Sequence, residues 1–88
     1  MDHIEHHEHK DLIKVIAEHF EEEIEDACEY AHLAEEFPDE QIALWELGRE
    51  EATHAWYMHD VLERHHFNFS EEHLEKFHRM MRKYHFEK

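Results

Sequence analysis

One glycine and one proline in eighty-eight residues leave this chain few places to turn. Both residues interrupt regular backbone, and a sequence nearly free of them but rich in acids and aliphatics favours long helices over sheets. The proline stands in "FPDEQ". It disfavours helical geometry at Phe37, while Asp39 or Glu40 behind it suits the first turn of a new helix. One helix is therefore predicted over residues 10–37 and a second over 39–66. Their link is so short that they should form an antiparallel hairpin.

The apolar spacing agrees. Ile13, Ala17, Phe20, Ile24, Ala27, Ala31 and Ala34 alternate steps of four and three, a heptad seam. Gln41, Trp45, Gly48, Ala52, Ala55, His59 and Leu62 give the second seam, with Leu44, Leu47, Met58 and Val61 alongside. A break at "FNFS" precedes a third helix over 70–85. Ser70 is a good N-cap, Phe69 before it can staple onto Leu74, and Leu74, Phe77, Met81 and Tyr84 make one apolar edge. Residues 1–9, "MDHIEHHEH", read as a frayed tail or an extension of the first helix; His3, His6, His7 and His9 fit a tail better than a metal trap.

The fold class is thus all-α, a single helical domain over 1–88. Helices of about 26 residues are about 40 Å long, and one short third helix cannot cover both sides of their seams. Self-association of two hairpins into a four-helix bundle is the expected remedy, with Gly48, Ala52 and Ala55 allowing close approach.

Charge narrows the partners. A formal charge of −15 argues against nucleic acid or an anionic membrane and favours cations. No apolar run approaches the ~18 residues of a membrane span, and acids and histidines precede any apolar segment, unlike a signal peptide. The lone Cys28 builds no disulfide framework, so a cytoplasmic setting is expected. Thirteen histidines make the net charge strongly pH-dependent near neutrality.

Glu-x-x-His occurs four times, at Glu29/His32, Glu51/His54, Glu63/His66 and Glu75/His78, against about three expected by chance. Context separates them. Glu29/His32 shares its stripe with Glu22, Glu25 and Glu36, Glu75/His78 sits with Glu71 and Arg82, and Glu63/His66 closes the second helix. Only Glu51/His54 is bracketed by Leu47 and Met58 on one side and by Gly48, Ala52 and Ala55 on the other. Counting about 13 residues, roughly 20 Å of helix, back from each side of the turn places Glu23 nearly level with Glu51. Each hairpin then offers Glu23, Glu51 and His54 at one level, half of the donor set found in di-iron carboxylate bundles.

With these residues placed, "EIEDACEYAHLAEEFPDE…REEATHA" resembles the rubrerythrin and ferritin-like family, most closely its short-chain encapsulated-ferritin branch. The resemblance covers about residues 13–66. It implies a ferritin-like homodimer with a di-iron ferroxidase centre shared by two chains, an oxidoreductase using O2 or peroxide. By that likeness Glu23, Glu51 and His54 are iron ligands, Tyr30 (seven residues after Glu23) is a phenol beside them, and Glu22 and Glu25 match metal-entry positions. Glu29 stands where that branch tends to carry a tryptophan, and "MMRKYHFEK" lacks its small-apolar tail for targeting to an encapsulin shell.

Plainer alternatives stay open. Glu51/His54 also reads as a polar pair at a dimer rim, Tyr30 as a core aromatic, and Glu22 and Glu25 as part of a solvated acidic run. Cys28 is expected as a small buried residue, and Trp45, Trp56 and Tyr57 as packing residues. Carboxylate and imidazole donors suit iron or manganese better than copper. A metal-buffering dimer holding Zn2+ or Mn2+ without turnover, and a purely structural dimer, are the competing functions.

Overall fold

The computed structural model describes residues 9–86. Helices α1 (His9–Glu36), α2 (Gln41–Arg64) and α3 (Glu71–Lys83) account for most of them, and no strand occurs among the described residues. Helix α1 already includes His9; the question of tail or helix for residues 1–8 lies outside the described residues.

The proline acts as expected, but α1 stops one residue before the predicted end. Phe37 leaves helical geometry at φ −124° and ψ 77°, so α1 ends at Glu36. Pro38–Glu40 then wind as one 3₁₀ turn, which delays α2 from the expected residue 39 to Gln41. Helices α1 and α2 run antiparallel, and Gln41 Nε2 reaches back across the turn to the Ala34 carbonyl at 3.4 Å.

Both later helices end on a histidine. His66 (φ 61°) and His85 (φ 64°) adopt the left-handed conformation. Phe67 N–H returns to Leu62 O and His66 N–H to Glu63 O, and Phe86 and His85 repeat the pattern on Met81 and Arg82. This double return satisfies carbonyls that a helix end leaves open, usually with glycine at the turning residue. Two of the many histidines are therefore backbone punctuation.

The two seams close on each other. Phe20, Ile24, Ala27, Ala31 and Ala34 of α1 are buried, as are Gly48, Ala52, Ala55, His59 and Leu62 of α2. Trp45 is half-buried and Gln41 exposed. Small side chains along the seam let the helix axes approach, since interaxial distance follows the residues at the contact.

Helix α3 lies across one side of this hairpin, parallel to α1. Ser70 caps it, its Oγ accepting from His73 N–H at 3.0 Å. Phe77, Met80, Met81 and Tyr84 are buried; Met80 joins the apolar edge read from the sequence, while Leu74 is only half-buried. Phe69 packs on α1 and α2, with ring centroids 5.7 Å from Phe20 and 4.9 Å from His59. The His59 ring is sandwiched, lying 4.5 Å from Phe77 and parallel to it within 2°. Toward the turn, Tyr84 packs on Trp45 at 4.5 Å and Phe86 on Trp56 at 5.2 Å. Tyr57, read as a packing residue, instead points outward and is 68% exposed, because it sits on α2 away from both α1 and α3.

The other side of the hairpin has no cover among the described residues. Leu12 and Leu47 are exposed there, and Ile16, Tyr30, Leu44 and Met58 are half-buried. Glu23, Glu51 and His54 lie on these same stripes of α1 and α2, one to three helical turns from them.

Candidate metal centre

Residue counting from the turn brings Glu23 and Glu51 level, and the folded chain adds the missing contact. His54 Nδ1 lies 3.4 Å from Glu51 Oε1 on its own helix and 3.8 Å from Glu23 Oε2 on α1. One ligand atom from each of the three lies within 4.8 Å of the others. A metal about 2.1 Å from each donor holds its ligand atoms about 3 Å apart, so small side-chain rotations close the set. The glutamates are half-buried, with side chains 19% and 27% exposed, whereas His54 is 55% exposed and faces outward.

The electrostatics are those of a site short of positive charge. With both glutamates ionised, Oε1 of Glu23 is buried and receives no N–H or O–H donor among the described residues. Burial first, then a hydrogen bond to Glu51 and its charge, push the Glu23 carboxyl up to about 7; His54 pulls the other way and Asp26 adds a small upward push. Burial beside a second carboxylate thus favours the protonated form of Glu23. A divalent cation would supply what the proton supplies, and two carboxylates with an imidazole suit iron, manganese or zinc.

The other sequence candidates fall elsewhere. Tyr30 is half-buried with its Cβ against Gly48, on the stripe of Glu23. Glu22 is exposed and paired with His19 at 3.4 Å. Glu25 is exposed on the α3 side of α1, lining a cleft with Cys28, Lys76 and Arg79. Neither joins the Glu23–Glu51–His54 group. Cys28, expected to be buried, is exposed, because α3 passes beside it rather than over it. Desolvation raises its thiol pKa against the opposing pull of Arg79, Lys83 and Lys76.

The look-alike pairs do not assemble in the same way. His32 is exposed and contacts Glu36 at 3.5 Å rather than Glu29, His78 is exposed, and His66 turns the backbone. One further group went unread in the sequence: His59, Asp60 and Glu63 also place donor atoms within 4.8 Å. Its ring packed between Phe69 and Phe77 makes His59 part of the α3 contact. The available sequence signal was the i, i+4 spacing of His59 and Glu63.

No family model, curated protein or solved structure matches this chain. Among the described residues, no helix is long and apolar enough to cross a membrane.

Proposed function

We propose that the chain binds iron at a dinuclear centre shared by two copies and oxidises Fe2+ with O2 or peroxide. The observation that carries this is the convergence of Glu23, Glu51 and His54 on the uncovered side of the hairpin, around a buried carboxylate oxygen without a neutral donor. Each copy contributes three ligands. A twofold axis over the open side would bring two such sets together and bury Leu12, Leu47 and Met58 in the same contact. Four glutamates then balance two divalent ions, and the exposed His54 ring gains cover.

Two Fe2+ ions held by Glu23, Glu51 and His54 of two copies would give up one electron each, becoming Fe3+ as O2 is reduced to peroxide or peroxide to water. The chain's own part is to hold and release charge. Glu23 would give up its proton to the solvent as the cation enters, Glu51 would bring the second carboxylate from α2, and His54 would provide the neutral donor. Tyr30 lies one further double turn along α1, on the same stripe.

A second reading has its own support: two carboxylates and one imidazole are also a three-ligand zinc or manganese set within a single copy. Such a chain would buffer metal without turnover. Anaerobic Fe2+ titration followed by O2 separates the two. Two irons per dimer and a rapid ferric chromophore support the ferroxidase, and binding without oxidation supports the buffer. Light scattering on metal-loaded protein at micromolar concentration must show a dimer; a monomer that bound two irons tightly would sink the shared site.

A further inference from the structure

The ligands come from α1 and α2, but α3 reaches the space between those helices. Tyr84, at the C-terminal cap of α3, is fully buried, and its hydroxyl donates to the Ala27 carbonyl of α1 at 2.6 Å. The same hydroxyl lies against Gly48 of α2. A Cβ added there would collide with it, would fall 2.8 Å from Cζ of the Tyr84 ring and would fall 2.9 Å from the Tyr30 Cβ. Only glycine fits, and one oxygen atom touches both helices of the hairpin. Ala27 is one turn beyond Glu23, about 6 Å along α1, and Gly48 is one turn before Glu51, about 4.5 Å along α2.

The arrangement is held from outside as well. Arg49 donates from Nη1 to the Tyr84 carbonyl at 2.9 Å and sets its guanidinium 4.6 Å from the Phe86 ring centroid. Burial pushes the Tyr84 phenol up to about 12, so it remains a donor at physiological pH. A carbonyl has two lone pairs, and the phenol can use the one its helix does not.

We propose that Tyr84 is a positioning residue for the Glu23–Glu51–His54 cluster, its hydroxyl setting the α1–α2 separation at which the three side chains converge. The proposal rests on the metal-binding reading above. The third helix is then a spacer for the site as well as a cover for the core. Ring packing on Trp45 orients the phenol, and the single hydroxyl defines the gap.

Tyr84→Phe deletes that oxygen and keeps the ring against Trp45. Phe77→Leu loosens the other end of α3 without touching Ala27 or Gly48. Co2+ serves as the probe ion, with affinity and visible spectrum recorded on both variants and the unmodified chain, all verified as folded by circular dichroism. Tyr84→Phe is expected to bind roughly tenfold more weakly, the scale of losing a group that orients a ligand, with an altered spectrum. Phe77→Leu should match the unmodified chain. Unchanged affinity and spectrum in folded Tyr84→Phe overturn the proposal, as does equal weakening in Phe77→Leu.

A metal-free measurement separates this from the functional reading. The nuclear Overhauser effect between Gly48 Hα and Tyr30 Hβ protons should change in intensity in Tyr84→Phe and persist unchanged in Phe77→Leu. If the unmodified chain bound no Co2+ but that signal still changed in Tyr84→Phe, the metal reading would fall and the spacing role would stand. An unchanged signal removes the spacing role whatever the metal does.

Discussion

The two sides of the α1–α2 hairpin are built from similar periodicities and end in opposite states. On the α3 side, Phe20, Ile24, Ala27 and Leu62 lie at or below 3% exposure beneath Phe77, Met80, Met81 and Tyr84. On the other, Leu12 and Leu47 are 42% and 44% exposed, and the acids and imidazole stand among them. The covered side gains its stability from apolar area removed from water. The open side places Glu23 where burial costs free energy unless a proton or a cation neutralises it. One side makes the fold, and the other holds charge that the fold alone leaves uncompensated.

The sharpest way to break that contrast is to exchange what each side loses. His54→Ala should abolish dinuclear metal binding, read by Fe2+ titration, while the metal-free melt moves by no more than about 0.5 kcal/mol. His32→Ala and His78→Ala should leave stoichiometry unchanged. Glu51→Ala should also lose metal, yet raise metal-free stability by relieving the carboxylate pair. A Glu51 with only a structural role would not show that opposite sign.

On the covered side, Phe77→Ala should cost about 3–5 kcal/mol in denaturant unfolding, as for a large aromatic removed from a packed core. Leu47→Ala should cost less than about 0.5 kcal/mol in dilute metal-free protein and more once metal drives dimerisation. Equal losses at the two positions in dilute protein would erase the distinction between the sides.

Glu23 makes the open side respond to pH with a definite sign. Its folded pKa, about 7, is raised above the ordinary 4.5, so the folded chain holds a proton that the unfolded chain has released. The stability it contributes is present below about pH 4.5 and is lost as pH rises toward 7. The melting temperature of the metal-free protein should therefore fall relative to Glu23→Gln across that window, since the amide does not titrate. Metal affinity should run the other way, weakening about tenfold per pH unit below 7 for each proton displaced. Parallel melting curves for the two proteins would mean Glu23 is not held protonated.

A modest gain in stability tests the backbone shared by both sides. His66 pays the cost of a left-handed conformation at the end of α2, and His66→Gly should gain about 0.5–1 kcal/mol in thermal unfolding, with metal binding unchanged.

Much of this molecule was legible along the chain because helical geometry is local. Apolar spacing of three and four identifies Phe20, Ile24, Ala27 and Ala31 as one buried stripe, Pro38 stops the helix at its predecessor, and a constant rise per residue makes Glu23 level with Glu51 by counting alone. Serine before two glutamates marks the start of α3 for the same reason: its cap bond closes within three residues. What tertiary structure decided are the contacts between residues far apart in sequence, which no local period specifies. Which side α3 covers depends on how Phe69, Phe77 and His59 stack together, and that choice leaves Cys28 and Tyr57 exposed. The same docking brings the Tyr84 hydroxyl to Ala27 and Gly48, 57 residues along the chain from the carbonyl it meets. The raised Glu23 carboxyl is equally nonlocal, since desolvation is a property of everything that surrounds a group and spacing along a helix records only the neighbours on that helix.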